Sequence, residues 1–173
     1  MLYLLDDQGN YFEADKNLNG STELPVQRPT HEYDWDGETW VLNEPRKAQN
    51  EQVVFELFRT KKLADVLISY VGACTQDVIY TSVLEFTAIF QANQNSLDSL
   101  KAAIDGWRTT EVVPEGYYWV SSDNVRVPFS YEDLYGLFNV IATQRWEAYQ
   151  RLQAVKIQVR NATTIKQLDE VVW

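Results

Sequence analysis

The sequence predicts an α+β fold, predominantly helical. A small N-terminal β-hairpin module precedes a helical domain that contains one β-hairpin and a long C-terminal helix. Three observations predict it. Asp36-Gly37 lies between the aromatic flanks Tyr33-Asp34-Trp35 and Trp40-Val41-Leu42, a hairpin signal, because glycine accepts the positive φ of a primed turn. Apolar residues recur with helical period over residues 51–71 and again over 134–159. Between these, Tyr117-Tyr118-Trp119-Val120 and Val125-Arg126-Val127 flank the turn-forming run Ser121-Ser122-Asp123-Asn124. Residues 1–43 are therefore read as a β module, 44–50 as a linker and 51–173 as the helical domain.

Taken in order, Tyr3-Leu4-Leu5 and Tyr11-Phe12 flank Asp7-Gln8-Gly9-Asn10, a cluster suited to a hairpin turn. Residues 15–30 hold Asn, Gly, Ser, Thr and two prolines and read as loop. A single two-stranded hairpin is marginal alone, so the 33–42 hairpin must lean on its own chain or on a partner. In the first helix Val54, Leu57, Phe58, Ala64, Leu67, Ile68 and Val71 share a face that Lys61 interrupts, and Gly72 supplies a stop. Val78-Ile79-Tyr80-Thr81 reads as a strand. Ser82 and Glu85 then read as a capping box opening a helix with Val83, Phe86, Ile89 and Phe90. Asn93-Gln94-Asn95 breaks it. Ser96 is expected to cap a short helix with Leu97, Leu100 and Ile104, ended by Gly106. After the 117–128 hairpin, Ser130 opens the long helix with Asp133 at its third position. The apolar face of that helix is Leu134, Leu137, Phe138, Ile141, Ala148, Tyr149, Leu152, Val155 and Val159. At ~1.5 Å per residue this helix reaches roughly 45 Å, longer than a small domain needs for its own core. Thr164 and Gln167 cap a short terminal helix.

Composition narrows the function. The 173 residues are 45% apolar, enough for an ordinary core without staples. A single cysteine, Cys74, excludes an internal disulfide framework and suits a reducing compartment. The start Met1-Leu2-Tyr3-Leu4-Leu5 lacks the basic flank and apolar length of a signal peptide, and no window approaches the ~20 apolar residues of a membrane span, so no membrane association is expected. Residues 1–56 carry 12 acidic and 4 basic side chains, net −8, whereas 57–173 carry 13 and 11, net −2. An acidic chain with no basic stripe argues against nucleic-acid binding.

Catalytic signatures are missing. His31 is the only histidine and lies in the proline-containing loop. One histidine and one cysteine do not make a zinc site. No phosphate-cradling glycine loop, nucleophile elbow or metalloprotease motif occurs. Asp34, Asp36 and Glu38 have calcium-loop spacing, but Trp35 intervenes and the pattern stops after Gly37. No enzyme, metal or cofactor is expected.

The stretch from Arg59 to Trp173 resembles a domain of unknown function common in phage tail-fibre assembly proteins and related prophage proteins. The resemblance rests on an ordered pattern: the helix ending near Val71, Val78-Ile79-Tyr80-Thr81-Ser82, Tyr118-Trp119-Val120 through Pro128-Phe129, Gln144-Arg145-Trp146-Glu147-Ala148-Tyr149, and Ala162-Thr163-Thr164-Ile165 with Leu168-Asp169. Residues 29–41 look like the aromatic hairpin found upstream of this domain. Such a resemblance implies a chaperone that binds a phage tail-fibre protein near its C-terminal tip and assists folding and trimerisation. It implies action in the host cytoplasm during assembly, with retention on the virion tail fibre as a variant. It brings no catalytic residues.

Large aromatics are frequent interface anchors, so Tyr33, Trp35, Trp40, Tyr117 and Trp119 are the candidate partner-binding residues. Two other readings use the same surfaces: a structural fibre-tip or baseplate component, and a carbohydrate-binding module stacking these rings on sugars. The long helix also suggests a homodimer seam through Leu134, Phe138, Ile141, Tyr149 and Leu152.

Overall fold

In the computed structural model, which describes every residue except 7 and 17, the chain forms two units, Met1–Glu56 and Leu57–Trp173. The fold is α+β, as the sequence predicts.

In the first unit, β1 (Leu2–Leu5) pairs antiparallel with β2 (Tyr11–Ala14) on one side and with β3 (Thr22–Leu24) on the other. The turn after β1 is held by Asp6. Its carboxylate accepts the backbone N–H of Gln8 (2.9 Å) and of Asn10 (2.7 Å), while Gly9 takes φ +82°. Asp7, placed in this turn by the sequence, lies outside the described residues. β3 corrects the loop assigned to residues 15–30. It is three residues long and embedded in turn chemistry, yet it buries Leu24, which lies opposite Tyr3 of β1. The expected second hairpin forms from β4 (Tyr33–Trp35) and β5 (Trp40–Leu42), with Trp35 opposite Trp40. Its connection has four residues rather than two. Asp36 binds the N–H groups of Glu38 and Thr39, and Gly37 sits at φ +110°.

Residues 44–50 are helical and not a linker. Helix α1 runs over Glu44–Thr75. Asn43 initiates it, its side chain accepting the Arg46 N–H at 3.0 Å, and Pro45 falls in the first turn, where no N–H is needed. Gly72 does not stop the helix, which continues three residues further.

The core of the second unit gathers two hairpins and two helices. β6 (Val78–Thr81) pairs antiparallel with β7 (Thr87–Phe90), where the sequence expectation was a helix starting at Ser82. The Ser82 hydroxyl accepts the Phe86 N–H, as a turn would, and Glu85 adopts φ +64°, which no helix permits. α2 (Gln94–Trp107) is capped by Asn93, whose side-chain Oδ1 accepts the Ser96 N–H at 2.9 Å. The cap therefore lies three residues before the Ser96 expected to serve, and Gly106 lies inside the helix. β8 (Tyr118–Val120) and β9 (Arg126–Pro128) form the expected hairpin. α3 (Tyr131–Asn161) opens with the expected capping box of Ser130 and Asp133, and α4 (Ile165–Glu170) opens at Thr164. Val78, Phe90, Leu97, Leu100, Val127, Phe129, Leu134, Leu137 and Ile141 pack into one core. A fully buried side chain such as Phe90 contributes roughly 1.5–3 kcal/mol.

Candidate functional site

The predicted aromatic residues fall in both units. In the first, Trp35 and Trp40 meet edge to face across the hairpin at 5.4 Å, and Tyr11 meets Trp40 in the same way at 5.6 Å. The Trp40 indole N–H donates to the Val26 carbonyl at 3.2 Å. Arg28 lies 5.9 Å from both the Tyr11 and Trp40 rings and donates to the backbone oxygens of Tyr33 (2.8 Å) and His31 (2.6 Å). Asp34 accepts from Asn43 and Arg46, each at 2.6 Å, and these bonds hold its carboxyl below the usual range, Asn43 contributing most. Tyr33, Trp35 and Trp40 are half-buried around an open cleft of roughly 500 Å³. The Trp40 ring is engaged with Trp35, Tyr11 and Arg28. The cluster braces a small β module, as cross-strand aromatic pairs do. His31 bonds Asn50 through its ring nitrogen at 2.7 Å. Among the described residues no group of three His, Cys, Asp or Glu side chains is placed to hold a metal ion.

In the second unit Trp119 stacks on Phe129 (6.4 Å, 27°), and Tyr117 packs against the same core, where burial pushes its hydroxyl pKa up. Their remaining faces line a cleft of roughly 430 Å³ with Tyr118, Asn95, Ser96 and Asn124. The proposed seam on α3 is used by the chain itself: Leu134, Ile141 and Leu152 are 0%, 1% and 5% exposed, and Phe138 packs on the core. Of that set only Tyr149, 44% exposed and stacked on Trp146 at 5.8 Å, faces outward. A helix longer than one core needs had suggested a second chain. Instead the C-terminal half of α3 buries Ala148, Leu152, Val155 and Val159 within the single chain.

A further apolar groove is not legible in the sequence, because it depends on β7. A groove of roughly 650 Å³ runs between β7 and β9, lined by Phe86, Thr87, Ile89, Val125, Arg126 and Val127. Phe86, Ile89 and Val125 are exposed. Both walls are strand edges. In an antiparallel ladder alternate residues turn their backbone groups outward. The Ile89 carbonyl accepts the Ser122 N–H from outside the ladder at 2.8 Å, so Ile89 and Thr87 face the groove edge. Across it, Val125 and Phe129 bond inward to Ser121 and Tyr117, which leaves Arg126 facing outward. The Ser122 hydroxyl, bonded to Asp77 at 2.6 Å, ties down one end. Arg126 lies over the Tyr118 ring at 4.6 Å. Hydrogen-bonding backbone on two edges with apolar side chains between them is chemistry suited to an extended peptide.

Residues 62–172 match the model of a family described as "Domain of unknown function (DUF4376)". No curated protein and no solved structure matches the chain.

Proposed function

The chain belongs to the DUF4376 family, and we propose that it is a phage tail-fibre assembly chaperone that holds an extended segment of the fibre protein between β7 and β9. The groove carries this reading. Fibre tips are β-rich and intertwined, so their strands remain unpaired until three chains meet, and unpaired strands aggregate. A groove presenting Thr87 on one edge and Arg126 on the other satisfies such a strand while Phe86, Ile89 and Val125 cover its apolar side chains. The resemblance of residues 59–173 to a domain of tail-fibre assembly proteins supports the same reading. A structural component of the fibre tip would use the same groove, and mass spectrometry of purified virions separates the two.

The test is co-expression with the phage tail-fibre protein, read by size-exclusion chromatography with light scattering. The fibre tip is expected to become soluble and trimeric only with this protein. Ile89→Asp is expected to abolish that rescue without altering the chain's own thermal melting, because Ile89 is exposed. A fibre that trimerises equally well alone, with nothing co-eluting, would overturn the reading.

A further inference from the structure

The apolar face that helical period marks on α1 does not meet the chain's own core. Leu57 and Ile68 are 65% and 71% exposed, and Phe58 and Leu67 are exposed beside them. The opposite side of the helix faces inward. It buries Val66, and it carries Arg59, which donates to the Ala162 carbonyl (3.1 Å), and Lys62, which donates to the Val171 carbonyl (3.2 Å). Leu57, Lys61, Ala64 and Ile68 follow one another at intervals of four, three and four residues, the spacing of a coiled-coil seam.

The charges on this seam indicate its occupant. Lys61 lies in the middle, and Asp65 lies one turn further on at the flank. Both are exposed, and neither has an ion-pair partner among the described residues. A second copy running antiparallel about a two-fold axis places its Ile68 opposite Leu57. It also places its Ala64 opposite Lys61, where a single methyl leaves room for the lysine stem, and its Asp65 within reach of the ammonium. The two-fold repeats each contact. A parallel copy instead sets Lys61 against Lys61, a like-charge pair at the centre of the seam. We infer that the protein self-associates through α1, two copies packing antiparallel with Lys61 of each paired to Asp65 of the other. The inference does not depend on the fibre reading, and its test involves no fibre.

Light scattering of the full chain across the micromolar range is expected to give twice the 20.1 kDa chain mass. Ile68→Asp, which buries a charge only in the dimer, is expected to raise the dissociation constant about a hundredfold. It should leave the helical circular dichroism of the monomer unchanged. Lys61→Glu is expected to weaken association, and adding Asp65→Lys to restore it. A mass of one chain at every concentration, an Ile68→Asp variant that dimerises normally, or a double charge swap that fails to restore association would each overturn the inference.

Discussion

Asp133 ties together three parts of the second unit. Fully buried, it accepts the Ser130 N–H and hydroxyl, each at 2.8 Å, the Val83 N–H at 2.7 Å and the Tyr80 hydroxyl at 3.2 Å. Burial, and then this carboxylate, push the Tyr80 hydroxyl pKa up to about 12. The Tyr80 ring lies directly on the backbone of Gly136, where an added Cβ would come within 2.7 Å of a ring carbon. Alanine normally gains about 1 kcal/mol over glycine inside a helix. Gly136→Ala is expected to do the reverse and cost about 2 kcal/mol in urea unfolding, because Tyr80 must leave its site against Phe129. Half of this arrangement was legible. Ser130 and Asp133 form a local capping signature, whereas Tyr80 and Val83 reach the same carboxylate from 53 and 50 residues away, and no local pattern records that.

Among the elements, the same kind of pattern gave opposite outcomes. Ser130 with Asp133 caps a helix, and Ser82 with Glu85 closes a hairpin turn. The difference lies in what each segment pairs with. Val78 and Phe90 are directly opposed and buried, so the ladder between β6 and β7 outweighs a cap of about 1 kcal/mol. The turn carries strain at Glu85, whose φ of +64° is costly for a residue with a Cβ. Glu85→Gly is therefore expected to raise stability by about 1 kcal/mol in chemical denaturation, where a helix-capping glutamate would have shown a loss. For α1 the period revealed an apolar face but not which surface covers it. Burial of Val66 on the opposite side of the helix, with Leu57 and Ile68 exposed, shows that the marked face turns outward. The length of α3 misled for a related reason, since its second half finds a core within the same chain.

At the scale of the molecule, charge and structure divide at the same place. The excess of acidic residues belongs to 1–56, and the first unit ends at Glu56. The family match covers 62–172, all within the second unit, where the groove between β7 and β9 lies. The aromatic residues selected from sequence brace their own units, and the surface best suited to a polypeptide partner became visible only once β7 was seen as a strand. Amide hydrogen exchange on the full chain, with and without the tail-fibre tip, tests strand binding in the groove most directly. Exchange at Thr87 and Arg126, the two groove edges, is expected to slow when the tip is present. Binding of the tip with unchanged exchange at both residues would contradict strand binding there.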